Sequence, residues 1–374
     1  MHLRHLSIVN YKNIHQAELD LSDGINCFIG NNGVGKTNLL DSVYFLAFSK
    51  SHSSNLDAQA INHDADFFVL QGDFIDSDMN YEIYCGLKRK QRKILKKNKK
   101  TYDHVSEHIG LIPLVMVSPK DYNLIAGGSE ERRKFMDGVI SQYDHQYLNA
   151  LLAYNRALQQ RNSLIKNESA DDSLFEIWEE QMSQLGSMIY EKRKQFIEKF
   201  TPIFQYFYEY ISLQREMVSF GYTSHMADGS SLGDLLAQNR QRDRLIGYTT
   251  KGIHRDDLEM LLGDFPLRST ASQGQSKTYL IALKLAQFDF LAKLQGKLPM
   301  LIFDDIFDKL DADRVQQIIK LMKEDNRFEQ IFISDTNREH ISDILKQTGS
   351  RYKIYSVENG EVALLDESAD DESI

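Results

Sequence analysis

The sequence predicts an α/β fold: a wound sheet of buried parallel strands drawn from both ends of the chain, with a long helical segment inserted between them. Three observations predict it. Short, continuous apolar runs of the kind found in central parallel strands lie near both ends, at 25–29, 300–303 and 330–334. Helical patterns at 312–323 and 338–346 alternate with the later runs, giving the β-α-β-α order of a wound sheet. Between the ends, from about 130 to 212, the texture changes to long helices with few breakers. The 374 residues are enough for two domains at roughly 150 residues each. The reading therefore divides them into one domain split in sequence, 1–125 and 245–374, and an inserted helical arm, 126–244.

Along the chain, Leu3, Ile8 and Val9 mark a first strand, and the apolar run 25–29 a buried one that leads into Gly30. An apolar-rich helix should follow from about 37 to 48, with further strands at 67–74 and 81–87. In the insertion, Leu148, Leu151, Leu158 and Ile165 recur at helical spacing, as do Leu174, Trp178, Met182, Leu185, Ile189 and Phe196. Each stripe is about 20 residues, or about 30 Å of helix. The polar segment 166–173 between them reads as a turn, so the pair should form an antiparallel hairpin. Pro202 is expected to end or kink the second helix. Residues 277–294 are apolar nearly all round and predict a buried helix. The acidic residues Asp366, Glu367, Asp370, Asp371 and Glu372 predict a solvated tail.

Composition removes several function classes. With 42% hydrophobic and 26% charged residues, the chain is ordinary globular material rather than a disordered, collagen-like or disulfide-scaffold sequence. A net charge of −10 means that any nucleic-acid binding must come from a local basic patch. Cys27 and Cys85 stand in no metal-ligand or C-x-x-C spacing, which argues against structural zinc and for a reducing compartment. The start lacks the apolar core of a signal peptide. The longest apolar run, 111–117, contains Pro113 and is far short of a membrane span. A soluble, cytoplasmic protein is expected.

Chemistry concentrates in a few motifs. Gly30-Asn31-Asn32-Gly33-Val34-Gly35-Lys36-Thr37 fits G-x-x-x-x-G-K-[ST], and it follows a predicted strand and opens a predicted helix, the context that supports a phosphate loop. Glycines let successive N–H groups face one point, and the helix N-terminus adds partial positive charge there. Lys36 would reach the β- and γ-phosphates of ATP, and the Thr37 hydroxyl would join a Mg²⁺ shell. Asp304 and Asp305 end the strand 300–303, where open α/β sheets bind their ligands. Asp304 is placed to hold Mg²⁺, and Asp305 to orient or deprotonate the attacking water. The simpler reading of such a pair is helix capping.

Ser272, Gln273, Gly274 and Gln275 open the predicted buried helix, 32 residues before Asp304. Ser272 would be a natural N-cap, and a helix tip is equally suited to a phosphate. The segment 88–100 holds nine cations in 13 residues: Lys88, Arg89, Lys90, Arg92, Lys93, Lys96, Lys97, Lys99 and Lys100. Its turn should lie at Lys97-Asn98-Lys99. Such a basic hairpin either lies along a DNA backbone or is simply solvated. His254, Arg255, Asp256 and Asp257 invite a metal or catalytic reading, but the simpler one is a charged strand end packed near the nucleotide. His52 and His340 read as surface or satisfied residues.

Together these residues resemble the RecF family of bacterial ABC/SMC-type ATPases. Asn10-Tyr11-Lys12-Asn13 resembles the family's N-F-R-N element, and Lys50-Ser51-His52-Ser53 its K-S-[HF]-R element. Ser118-Pro119-Lys120-Asp121, with Arg132, Arg133, Phe135 and Asp137, resembles S-P-x-D…R-R-x-F-x-D. The segment 147–162, ending in Gln160-Arg161-Asn162, is similar to the helical arm, and Gly252-Ile253-His254-Arg255-Asp256-Asp257 to G-P-H-R-D-D. Departures are Lys12 and Ser53 for Arg, Ile253 for Pro, and no glutamine at the lid position, near which Asp121 stands. Ser334-Asp335-Thr336 stands where many ABC ATPases carry a histidine.

The resemblance implies an ABC-type head, with a phosphate-loop sheet and an antiparallel β lobe, that binds ATP and Mg²⁺. It implies Lys12 and Asn13 at the nucleotide, Ser272 to Gln275 as a signature completing the partner subunit's ATP site, and Leu310-Asp311 as the D-loop. It further implies an ATP-dependent homodimer on gapped DNA or single-/double-strand junctions, RecR and RecO as partners, and roles in recombinase loading, replication restart and SOS induction. Asp305, where most ABC ATPases have the longer Glu, suggests slow hydrolysis that times a DNA-bound state. Two alternatives are an ATPase subunit of a membrane transporter and an SMC-like DNA-bridging ATPase. The 236 residues between Lys36 and Ser272 are too many for the first, and the arm is too short for the second.

Overall fold

The computed structural model describes residues 1–368 apart from 55, 78, 168–170, 214–215, 308–311 and 325–327. The chain divides into two compact units. The first comprises Met1–Asp121, Tyr210–Leu213 and Lys277–Ile374, and the second Tyr122–Glu209 and Gln214–Ser276.

The first unit begins with β1 (His2–Tyr11), β2 (Ile14–Asp20), β3 (Ile25–Ile29) and α1 (Lys36–Phe48), followed by β4 (Phe67–Asp76), β5 (Met79–Lys88), β6 (Ile94–Lys97), β7 (Lys100–Thr101) and β8 (Leu114–Val117). The second unit holds α2 (Asn123–Ala126), α3 (Ser129–Tyr143), α4 (His145–Lys166), most of α5 (Asp172–Ser212), β9 (Val218–Thr223), α6 (Leu232–Gln238), α7 (Arg240–Ile246), β10 (Asp257–Leu262), β11 (Phe265–Pro266) and α8 (Leu267–Thr270). Helix α9 (Gln273–Gln295) starts in the second unit and continues in the first, which ends with β12 (Met300–Asp304), α10 (Ala312–Glu324), β13 (Ile331–Asp335), α11 (Arg338–Thr348), β14 (Tyr352–Glu358) and β15 (Glu361–Glu367).

Two sheets build the first unit. One has the order β15-β14-β3-β13-β12-β8, parallel except for β15. Strands β3, β12, β13 and β8 are buried residue by residue, as strands covered on both faces must be. The other, β2-β1-β4-β5-β6-β7, is antiparallel, and β4 alternates buried with half-exposed positions because only one face is covered. Helix α1 packs against β1 and β4 on one side and β12 and β13 on the other. Tyr11, Phe45 and Phe68 meet edge to face at 5.3–5.8 Å within that core. The central strand and the helix after it thus come from the start of the chain, and β12, β13 and β14 from its end.

In the second unit α4 and α5 run antiparallel, as their stripes predict. Tyr147 meets Arg193, Tyr154 lies beside Gly186, and Arg161 pairs with Glu179, so contacts climb one helix while descending the other. Two buried guanidinium groups clamp this unit. Arg161 bonds Glu179, Asp243, Thr249 and the Leu236 carbonyl, and Arg193 bonds Asp137, Asp256 and the Ile253 carbonyl.

Several expectations need correction. Pro202 does not end its helix: α5 continues to Ser212, and the Thr201 hydroxyl donates to the Ile197 carbonyl at 2.6 Å beside the missing backbone donor. The second unit extends to Ser276 rather than 244, because β10 pairs with β9 in a sheet of that unit's own. The 111–117 run supplies β8, a parallel edge strand. Asp366 and Glu367 belong to β15, whose charged, exposed residues suit a sheet edge. Asp370, Asp371 and Glu372, the D-loop residues Leu310 and Asp311, and the His340 side chain lie outside the described residues. Among the described residues no helix is long and apolar enough to cross a membrane.

One buried histidine sets an acid limit on stability. His108 is fully buried, with Nε2 donating to the Leu46 carbonyl at 2.6 Å and Nδ1 accepting from the Tyr102 hydroxyl at 3.2 Å. Burial pushes its pKa down from 6.5 to about 4. The unfolded chain therefore binds the extra proton first. The stabilisation is complete above about pH 6.5 and is lost as pH falls towards 4, on the order of 3 kcal/mol in all. Urea midpoints measured from pH 7 to 4.5 should fall more steeply for the wild type than for a His108→Gln chain.

Candidate functional site

The apolar strand β3 delivers the chain directly into the glycine-rich loop, and α1 begins at Lys36. Gly33 and Gly35 take φ of 83° and 122°, a left-handed region that other side chains resist. Gly35 is the N-cap, with no side-chain cap and no acidic residue in the first helical turn among the described residues. Orphan N–H groups at this tip therefore face an electropositive opening. The loop is braced from outside: the Asn13 amide donates to the Val34 carbonyl at 3.0 Å, Asn38 holds Asn13 at 2.8 Å, and the Gly360 N–H reaches Val34 at 2.9 Å. Asn13 is thus a loop buttress. Lys36 is folded over the loop, donating to the carbonyls of Gly30 at 2.5 Å and Asn31 at 2.9 Å.

The ends of β12 and β13 complete the corner. Thr37 Oγ1 donates to Asp304 Oδ1 at 2.9 Å across 267 residues of sequence. Ser334 Oγ donates to the same oxygen at 2.8 Å and accepts from the Asp305 N–H at 2.9 Å. Burial pushes the Asp304 carboxyl above its ordinary range, and the Ser334 and Thr37 hydroxyls oppose that rise. Asp305 takes φ 54°, a left-handed conformation that costs a non-glycine residue about 1–3 kcal/mol. A hydroxyl and a carboxylate in contact are hard oxygen donors, which fits a Mg²⁺ ion held by two protein oxygens and substrate phosphates. Among the described residues no group of three or more His, Cys, Asp and Glu forms a separate metal cage.

Lys12 engages elsewhere. Its Nζ pairs with the fully buried Asp41 at 2.5 Å and contacts Ser53, while Asp41 also accepts from the Tyr11 and Ser51 hydroxyls and the His52 N–H. Burial alone would raise the Asp41 carboxyl, but Lys12 and these donors hold it below the ordinary range. The network ties the 51–53 loop to α1. Asp121, near the family's lid position, pairs with Lys284 at 2.7 Å and caps the Ser118 N–H.

Ser272 and Gln275 form a capping box at the tip of α9. The Gln275 N–H donates to Ser272 Oγ at 3.2 Å, and the Ser272 N–H donates to Gln275 Oε1 at 2.7 Å. The capping reading is therefore correct within one chain, and the hydroxyl accepts in that bond, which leaves its proton for another acceptor. Ser272 and Gln273 are exposed. Glu216 holds the Gln275 amide at 2.8 Å and accepts from Tyr208 at 2.9 Å.

The basic segment forms a hairpin, turning at Asn98 and Lys99, whose φ values of 49° and 68° match a two-residue type I′ turn. Its nine cations are not equivalent. Lys88, Arg89, Lys90, Arg92, Lys99 and Lys100 are exposed, although Arg89 also donates to the Ala65 and Asn62 carbonyls. Lys96 and Lys97 lie over the Tyr84 and Tyr81 rings at 5.2 and 4.3 Å. Lys93 is committed internally, paired with Asp57 at 2.6 Å and over the Phe45 ring at 5.1 Å.

The His254–Asp257 group is structural. Asp257 takes a bidentate bond from Arg132 at 2.7 and 2.9 Å, Asp256 bonds Arg193 and Tyr222, and His254 bonds Tyr154 and the Thr249 carbonyl. His52 is satisfied as expected, its ring edge-on to Tyr44 at 5.0 Å. Sequence reasoning missed Asp41 and Ser334 as parts of the site. Asp41 could have been found as a lone carboxylate inside an apolar helix, and Ser334 as the polar end of an apolar strand.

Comparison with known proteins agrees with this geometry. The family model described as RecF/RecN/SMC N terminal domain matches residues 2–363. A DNA replication and repair protein RecF from Phocaeicola vulgatus is 56% identical over 374 residues, covering 99% of this chain and 100% of the relative. One from Flavobacterium johnsoniae is 47% identical over 361 residues, 96% and 100% of the two chains. Among solved structures, the recombination mediator protein RecF with ATP, in the RecFOR pathway, superposes with a TM-score of 0.88 at 26% identity over 97% of both chains. A Pyrococcus furiosus Smc head domain shares the fold alone, with a TM-score of 0.55 at 17% identity, over 97% of this chain and 96% of that one.

Proposed function

We propose a function from one premise: the chain belongs to the RecF family, within the wider RecF/RecN/SMC group. It is a DNA replication and repair protein that binds ATP, dimerises on it at gapped DNA or single-/double-strand junctions, and hydrolyses it slowly. The observation that carries the nucleotide reading is the 2.9 Å bond from Thr37 to Asp304. It joins the phosphate loop to the strand-end carboxylates, which is where phosphoryl-transfer chemistry is done in this class of site.

The N–H groups at the tip of α1 and the Lys36 ammonium hold the triphosphate. Thr37 and Asp304 hold Mg²⁺, which when bound neutralises charge on the β- and γ-phosphate oxygens. Asp305 orients the attacking water and takes its proton as the water oxygen bonds to the γ-phosphorus and the bridge to the β-phosphate breaks. Ser272, Gln273, Gly274 and Gln275 of one copy close over the triphosphate of the other, so loss of the γ-phosphate opens the pair. DNA is held by charge and shape. RecR and RecO are the partners this family membership suggests.

Sedimentation of the full chain with ATP, ADP or no nucleotide tests the reading. A dimer with ATP alone, further shifted by gapped DNA, is expected; a protein that stays monomeric with ATP refutes it. Replacing Lys88, Lys90, Arg92, Lys99 and Lys100 with Ala should weaken DNA binding and flatten its salt dependence, by about 0.9 in slope for each phosphate no longer neutralised. DNA affinity and salt slope equal to wild type would remove the hairpin from the interface. Lys93→Ala is expected to lower stability instead, because it strands Asp57.

A further inference from the structure

We propose that Ser334 is a positioning residue for ATP hydrolysis, setting Asp304 through its side chain and Asp305 through its backbone; the inference rests on the ATPase reading. Residues 304 and 334 are ladder neighbours in the parallel pair β12 and β13. Every residue of β13 is buried, and Ser334 is fully so. A hydroxyl at such a position is costly unless its hydrogen-bonding capacity is used, and here it both donates and accepts. It donates to Asp304 Oδ1 at 2.8 Å and accepts from the Asp305 N–H at 2.9 Å.

Each bond has a distinct consequence. Asp304 Oδ1 accepts two hydroxyls, Thr37 from α1 and Ser334 from β13. Thr37 is the one that a bound cation would recruit, so the Ser334 bond is the hold that keeps the carboxylate oriented. Asp305 has φ 54°, an unfavourable conformation that persists only where its surroundings fix it, and its N–H is fixed on Ser334 Oγ. One hydroxyl therefore couples the metal-side carboxylate to the backbone of the proposed base. Alanine removes both bonds, whereas threonine keeps the hydroxyl and suits a strand.

The test uses full-length wild type, Ser334→Ala and Ser334→Thr, with ATP affinity measured in EDTA and at saturating Mg²⁺ beside kcat and KM. Ser334→Ala is expected to bind ATP in EDTA as wild type does. The gain in affinity from Mg²⁺ should shrink about tenfold, and kcat should fall about 10- to 100-fold. Ser334→Thr should recover most of both. An alanine variant with wild-type kcat and Mg²⁺ dependence overturns the inference. So does one whose EDTA affinity and melting temperature fall together with kcat, since that is a folding defect. A wild type that fails to bind ATP overturns the nucleotide reading itself, which separates the two failures.

Discussion

An Asp305→Asn chain should bind ATP as wild type does but hydrolyse it about 100-fold more slowly or worse, the usual scale for losing a general base. The substitution is chosen for its backbone as well as its chemistry. Asp305 stands at φ 54°, and asparagine tolerates that region better than alanine or glutamate. The Asp305 N–H bond to Ser334 should therefore survive, isolating the carboxylate. ATP would then hold the two copies together, so phosphate release should collapse while the sedimenting species remains dimeric on a DNA gap. A variant that releases phosphate at the wild-type rate would remove Asp305 from the chemistry and leave the phosphate loop untouched.

The largest expected effect on stability lies in the second unit. Arg161→Met should destabilise it by about 3–5 kcal/mol, read as a lower urea midpoint by circular dichroism. Arg161 is fully buried, and its guanidinium serves Glu179 on α5, Asp243 on α7, Thr249 and the Leu236 carbonyl at once. Removing it leaves Asp243 buried beside a carbonyl without its donor. Replacing Arg161, Glu179 and Asp243 together by apolar residues of similar volume should restore much of the loss, because the cost lies in stranded charge rather than in a missing attraction. An equal midpoint for wild type and Arg161→Met would show that the network is solvated in solution.

The nucleotide corner was legible because its signals are local. A doubly buried strand, a glycine-rich loop and a lysine-threonine helix start are all written within 25–37, and the Asp304-Asp305 pair within one strand end. What stayed hidden depends on partners distant in sequence. The β14–β15 hairpin is half charged and exposed, so it shows little strand periodicity, yet its turn buttresses the phosphate loop through Gly360. The end of the second unit was misread because β10 owes its place to pairing with β9, some 35 residues earlier, rather than to any change in composition. Charge counting treats nine cations as one surface, whereas the fold commits Lys93 to Asp57 and the ring of Phe45. Lys12 likewise reads as a phosphate ligand by motif and as the partner of Asp41 by geometry.

The interleaving of β3 between β13 and β14 bears on how the protein is made. The glycine loop emerges early during translation, but the strands that flank it are synthesised some 300 residues later. Pairing of such high contact order is slow, and here it cannot begin until nearly the whole chain has left the ribosome. Until then β3 remains an uncovered apolar strand, a natural client for holdase chaperones. Prematurely terminated products would lack Asp304 and its neighbours, so a stalled ribosome would release a fragment unable to assemble the ATPase corner.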